Sequence, residues 1–276
     1  MQVLKKIINF LLNILLFAGV LRKKKNSLRI LMFHDINDIE RFDKLISYIK
    51  KHWEFITPNQ FYKIYNSKNK FTNKKVLLTF DDGFKSNIKV AQTILKKHNI
   101  KAVFFVPFEF IEKKKISEKK NFIKKNLNLE YISNDQQNMN FKDIQKLLNL
   151  NHELGAHTFS HKDLKMEKNL NKLKFEIILS TNSFENKIKK KINLFAFNFG
   201  RLQNISHQMV NISKKRYKYL FTAVRGDNNK KAKMLFRDNI SLKDNIFDIN
   251  VYLNGLYDFI YENERKKLLK FMKTFK

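Results

Sequence analysis

The chain has 276 residues and carries 56 Lys+Arg against 25 Asp+Glu, a formal net charge of +31, with 43% hydrophobic residues. That much apolar sequence excludes a disordered polybasic tail and is enough for one large or two small cored domains. Cysteine is absent, which excludes disulfides, a thiol nucleophile and thiolate-held metals; with 6 Gly and 2 Pro, neither common glycine-rich phosphate loop occurs.

The first segment, residues 1–27, contains an apolar run from Ile7 to Leu21 interrupted by Asn9 and Asn13. Lys5 and Lys6 precede it, and Arg22, Lys23, Lys24 and Lys25 follow. The run is shorter than the roughly 20 residues a membrane span needs. No A-x-A cleavage site follows, and the basic residues resist export. Lys5 or Lys6, Asn9 and Asn13 share one helical stripe, which predicts a helix lying in an anionic membrane surface, on the cytoplasmic face. A signal anchor leading to the periplasm is the alternative.

From residue 28 the pattern is that of a folded domain, 28–276. Apolar runs predict strands at 28–33, 76–80, 102–106, 153–156, 194–197 and 219–223. Helical spacing predicts helices at 41–51, 87–98, 141–150, 167–190, 206–215 and 257–273. Residues 112–138 are Lys-rich and weakly periodic, an expected excursion or lid, and 234–253 read as short strands. Strands alternating with helices predict an α/β fold with a parallel sheet or barrel. Lys, Asn, Ile and Phe are enriched together and the basic residues are spread along the chain. The charge therefore reads as a coding bias and not as a patch; no basic-aromatic module is present, and no nucleic-acid partner is expected.

Three short segments carry chemistry. Thr79-Phe80-Asp81-Asp82-Gly83-Phe84 directly follows a buried strand. In parallel α/β folds the C-terminal ends of strands face the ligand. Adjacent carboxylates there repel unless a cation sits beside them, although either could simply cap the next helix. Gly155-Ala156-His157-Thr158-Phe159-Ser160-His161 holds two histidines four apart. That spacing places both on one side of a helical turn and suits a shared metal, although many such pairs are incidental. Without cysteine, Asp plus two His is a reasonable hard-metal donor set with open positions. Leu194-Phe195-Ala196-Phe197-Asn198-Phe199-Gly200-Arg201 is, by itself, an aromatic strand ending in a turn.

Together and in this order the three segments resemble the polysaccharide deacetylases, carbohydrate esterase family 4. Thr79 to Gly83 matches the family's T-F-D-D-G, and His157, Thr158 and His161 match its H-[ST]-x-x-H, with Glu153-Leu154-Gly155 as the lead-in. Phe195 to Gly200 is similar to F-A-Y-P-F-G. Ile30-Leu31-Met32-Phe33-His34 looks like the L-M-Y-H opening of the branch that deacetylates exported poly-N-acetylglucosamine. The resemblance spans about residues 28–245.

It implies a distorted (β/α) barrel of about seven parallel strands. It also implies a metal-dependent hydrolase that removes N-acetyl groups from an amino sugar in a surface polysaccharide or glycan precursor. By the same resemblance Asp82, His157 and His161 hold a divalent metal, most often zinc. Asp81 is the general base, and the backbone N–H near Phe199 faces the oxyanion. Arg237, in a segment similar to the family's L-P-R, is expected to orient Asp81. Two departures stand out. Asn198 replaces a common proline, which is expected to loosen the turn that aims Phe199. The family's C-terminal L-x-x-H is missing, since no histidine follows His207, and His34 is the expected proton donor instead. A catalytically degenerate member that only binds glycan is the alternative function. The expected partners are an N-acetylated carbohydrate and, through the N-terminus, an anionic membrane surface.

Overall fold

The computed structural model describes residues 2–21, 26–67, 72–130, 137–228 and 232–273. After helix α1 (Gln2–Phe17) come strands β1 (Ser27–Phe33), β2 (Glu54–Phe55), β3 (Lys74–Phe80), β4 (Val103–Val106), β5 (Glu153–Ala156), β6 (Leu194–Ala196) and β7 (Tyr219–Phe221). Between them lie helices α2 (Ile39–His52), α3 (Pro58–Asn66), α4 (85–98), α5 (Phe108–Glu112), α6 (Ile116–Lys125), α7 (Phe141–Asn149), α8 (170–188) and α9 (His207–Arg216). The chain ends with β8 (Met234–Leu235), β9 (Asp238–Asn239), α10 (Ile246–Leu253) and α11 (Glu262–Met272).

Every strand pairing is parallel, in the order β8-β7-β6-β5-β4-β3-β1-β9, with β2 beside β3. β8 and β9 are the two ends of one segment, 234–239, which pairs first with β7 and then with β1. The sheet's two edges therefore meet in a single stretch of chain. β1, the five strands β3 to β7 and this segment make seven staves of a distorted barrel.

Side chains alternate between the two faces of the staves. Leu28, Ile30, Leu77, Val103, Phe105 and Phe221 fill the barrel, and Ile56, Phe61 and Tyr65 join them. Phe61 and Tyr65 meet the first residue of β7, Tyr219, at ring distances of 5.2 and 5.4 Å, so α3 plugs the N-terminal mouth. The outward residues, among them Leu31, Phe33, Leu78, Phe80, Phe104 and Phe195, belong to the larger core beneath the helices. Burial on both faces explains why the strands read as continuous apolar runs. Gly155 is the exception that this packing requires, because a Cβ there would lie 2.1 Å from the ring of Phe105.

Among the elements that differ from the sequence expectation are α10 and α3. Residues 246–253 are helical, although Ile, Phe, Val and Tyr favour strands. Asn245 and Asp248 form a reciprocal capping box that fixes the helix start. The same device, Thr57 with Gln60, starts α3, which periodicity alone did not reveal.

The polar stripe of α1 also departs from expectation. Its Asn9 and Asn13 do not face water; they lie against α10. The Asn9 amide donates to the Asp248 carboxylate, and the Tyr257 hydroxyl donates to Asn9 Oδ1 at 2.5 Å. Asn13 donates to the Phe247 carbonyl at 2.9 Å and accepts from Asn250 at 2.5 Å. Buried amides need such partners, and α10 supplies matching donors and acceptors. Arg22 to Lys25 lie outside the described residues, as do residues 131–136 of the expected lid. Among the described residues no helix is long and apolar enough to cross a membrane.

Candidate active site

The motif residues meet at the C-terminal rim of the barrel, opposite the plug of α3. Asp81 follows β3 and its N–H donates to the Phe33 carbonyl at 2.8 Å, continuing the strand pairing by one residue. The next two residues take left-handed backbone, φ 71° at Asp82 and 74° at Gly83. The sharp turn lets two adjacent carboxylates line the same cavity of about 480 Å³, together with His34, His157, His161 and Phe199. Neither carboxylate caps the helix that follows, whose N-cap position is Phe84.

His157 and His161 do not sit on a helical turn. They lie in an irregular loop in which Thr158 and His161 also have left-handed backbone, φ 60° and 59°. Such conformations are held only by strong local bracing. Thr158 Oγ1 accepts from the His161 N–H at 2.9 Å. The Glu176 carboxylate accepts from the Ser160 N–H at 2.9 Å and the Ser160 hydroxyl at 2.7 Å. The Glu176 carbonyl, in a π-wound stretch of α8, accepts from the Phe159 N–H at 2.9 Å.

The two imidazoles are oriented from behind. Nδ1 of His157 is 2.8 Å from the Ala196 carbonyl, and Nδ1 of His161 is 3.0 Å from the Asn126 carbonyl. A carbonyl only accepts, so each Nδ1 carries the proton and each Nε2 presents its lone pair to the cavity. The Nε2 atoms lie 3.5 and 3.3 Å from Asp82 Oδ1. That oxygen is buried without a hydrogen-bond partner. The three ligand atoms lie within 4.8 Å of one another, all buried. An orphaned carboxylate oxygen facing two imidazole lone pairs fits a divalent cation. Burial alone would raise the Asp82 pKa, but the imidazoles of His161 and His157, when protonated, outweigh it and hold the carboxyl well below its ordinary range. Burial likewise opposes a charged His161, and the Asp82 carboxylate overrides it, raising the His161 pKa.

Arg237 reaches Asp81 from the closing segment. It is fully buried and donates from Nη1 and Nη2 to the two Asp81 oxygens, and from Nε to the Thr222 carbonyl at 2.8 Å. Its neighbour Asp238 points to the other face, where it takes a two-pronged contact from the buried Arg29 and a further bond from Arg225 at 3.1 Å. Adjacent residues of one stave thus make buried ion pairs inside and outside the barrel.

His34 follows β1 at the cavity mouth, partly exposed, and its ring makes no hydrogen bond to the described residues. Phe199 has φ 56°, packs its ring 5.0 Å from His161, and leaves its N–H unbonded among the described residues. The turn that holds it carries a side-chain brace where the family commonly has proline. Asn198 donates its side-chain amide to the Lys162 carbonyl, a bond proline cannot make. Gly200 then follows at φ 62°, with no room for a Cβ against the Ala223 nitrogen at 2.5 Å. The expected lid contributes structure as well: Phe122, Ile123 and Leu127 are buried, and Asn126 bonds both His161 and the Ser160 carbonyl. Asn126 and Glu176 brace the site, and sequence reasoning missed both.

A family model described as polysaccharide deacetylase matches residues 68–219, more than half of the chain. The chain belongs to the polysaccharide deacetylase family. Solved structures agree with this in fold. IcaB from Ammonifex degensii is 17% identical, with 83% of this chain and 97% of that chain covered and a TM-score of 0.67. The Streptococcus pyogenes deacetylase PplD, solved in complex with acetate, is 17% identical, with 84% and 99% covered and a TM-score of 0.65. A de-N-acetylase from Aggregatibacter actinomycetemcomitans is 16% identical, with 82% and 100% covered and a TM-score of 0.66. No curated protein sequence matches the chain significantly. As a polysaccharide deacetylase, the chain is a carbohydrate hydrolase by family, and its Asp, His, His set sits at the rim where the barrel opens.

Proposed function

We propose that this chain is a metal-dependent N-deacetylase acting on an amino sugar of a surface polysaccharide or glycan precursor. The observation that carries this reading is one cavity holding both a three-donor cation site and a carboxylate clamped by Arg237 beside it. Asp82, His157 and His161 would hold the cation, and zinc suits two imidazoles and a carboxylate. When bound, it supplies Lewis acidity toward the acyl carbonyl and an attacking water.

The remaining work falls to the chain. Asp81 accepts the proton of the attacking water, with Arg237 fixing its orientation. The Phe199 N–H faces the oxygen on which charge develops. His34 gives a proton to the departing amine, so the products are acetate and a free amino sugar. The cavity opens into a cleft of about 910 Å³ lined by Asn128, Gln203, Asn204, Asn239, Tyr252 and Tyr261. Side-chain amides that can bond hydroxyls suit a glycan. The Leu31-Met32-Phe33-His34 opening, similar to L-M-Y-H, supports a substrate of the poly-N-acetylglucosamine kind, and fold likeness to a de-N-acetylase agrees with an N-acetylated one.

The test is acetate release from a panel of N-acetylated glycans, with and without chelator, for the wild type and Asp81→Asn. Release by the wild type that stops on chelation, returns with zinc and is lost in Asp81→Asn is the expected result. Metal binding without release from any glycan would leave a glycan-binding protein in place of an enzyme.

A further inference from the structure

Helix α1 buries its asparagines beside Leu16 and turns most of its apolar side outward. A helix on a protein core buries hydrocarbon and shows polar groups to water. Here Asn9 is 0% exposed, whereas Leu11 is 53% and Phe17 89% exposed. Ile7, Phe10 and Ile14 share the exposed side, and Phe10 extends the face onto α10 by an edge-on contact with Phe247, itself exposed. A contiguous apolar face of this kind marks an interaction surface.

The chain itself selects the occupant. At 16 residues α1 is too short to span a bilayer but long enough to lie in its surface. Lys5 and Lys6 precede the apolar run in sequence, and Arg22 to Lys25 follow it. Basic residues on both sides of an apolar run in sequence suit anionic headgroups and favour the anionic cytoplasmic leaflet. A second copy of the chain is disfavoured, because pairing through this face would bring together two molecules of charge +31.

We propose that α1 seats the protein on an anionic lipid bilayer, with its apolar side in the acyl boundary and Asn9 and Asn13 as pegs that hold the body above it. The pegs make four hydrogen bonds to residues 247–257, so the attachment is a fixed joint and not a tether. Helix α10 receives the pegs at Asp248 and, one turn later, presents Tyr252 to the cleft. Seat and cleft share one helix, so a glycan held at the membrane surface would meet the cleft directly; this last clause alone rests on the deacetylase reading.

The test is flotation of the full chain with vesicles of phosphatidylcholine alone or mixed equally with phosphatidylglycerol. The expected result is binding to the mixed vesicles only, weakened by high salt. Leu11→Ser combined with Ile14→Ser, both outward-facing, lowers that partition at least about tenfold, since each buried CH₂ contributes about 0.8 kcal/mol, and leaves the Tm unchanged. Phe17→Trp gives a blue-shifted emission with mixed vesicles, over a constant background from the buried Trp53. Asn9→Ala with Asn13→Ala still floats but has a lower Tm. Equal binding to both vesicle types, binding to neither, or a lipid-free dimer that blue-shifts the Phe17→Trp variant overturns the proposal. An unchanged Tm in the peg variant removes the fixed joint. None of these readouts depends on acetate release.

Discussion

Arg237 holds Asp81 by both carboxylate oxygens, Nη1 to Oδ1 at 2.7 Å and Nη2 to Oδ2 at 2.8 Å, with neither side chain open to solvent. A two-pronged guanidinium contact fixes the plane of a carboxylate as a lysine cannot. Arg237→Ala should therefore lower kcat about 100-fold, roughly 2–3 kcal/mol, with KM little changed. Arg237→Lys should not restore the rate, and added guanidinium should restore part of it in Arg237→Ala. Steady-state kinetics of the three proteins check this, and a kcat for Arg237→Ala within twofold of wild type ends the positioning role.

The role of His34 separates from the cation site by choice of substrate. His34→Ala should lose about 100-fold in kcat on an N-acetylated glycan, within the range of a general-acid contribution. On 4-nitrophenyl acetate, whose leaving group needs no proton, the same variant should stay close to wild type, with bound metal unchanged. An equal loss on both substrates would assign His34 to the integrity of the site.

Gly155 tests the packing beneath the histidine loop. The ring of Phe105 fills the position of a Cβ there, at 2.1 Å. Gly155→Ala should cost about 1–3 kcal/mol of stability, the usual range for overpacking. Phe105→Leu in the same chain should recover part of it. Urea denaturation of the single and double variants measures the effect, and a neutral Gly155→Ala would mean that the ring moves freely.

His152 should make the fold acid-sensitive. Burial first, and the Lys101 cation second, push its pKa down from 6.5 to about 4, and its Nδ1 accepts the Ala102 N–H at 3.1 Å. Above pH 6.5 the ring is neutral in both the folded and the unfolded chain, and it adds no pH dependence. As the pH falls from 6.5 toward 4, the unfolded chain takes up a proton that the folded one refuses, so stability declines by up to about 3 kcal/mol. The difference between wild type and His152→Gln, followed by thermal melts across that range, isolates this share from that of the carboxylates. Parallel curves for the two proteins would refute it.

Much of the candidate site was legible because its residues are contiguous: Asp81 and Asp82 share one turn, and His157 and His161 one loop. The residues that brace it were not. Asn126 comes from a Lys-rich excursion and Glu176 from the middle of a long helix, and each acts through a contact that only the fold creates. Residues 246–253 were misread because β-prone side chains were weighed above the Asn245 cap. The stripe of Asn9 and Asn13 shows a different limit. Periodicity locates the polar side of a helix, but whether that side meets water or a partner depends on a surface more than 200 residues away.

The alternation of Arg237 and Asp238 leaves the closing segment a single way to lock. A slip of one residue would turn Arg237 outward against Arg29 and bring the Asp238 carboxylate inward against Asp81, replacing two attractions with two repulsions. The stave that completes the barrel thus proofreads its own alignment, and the charge pattern that rejects a misaligned closure is the same one that fixes the plane of the Asp81 carboxylate.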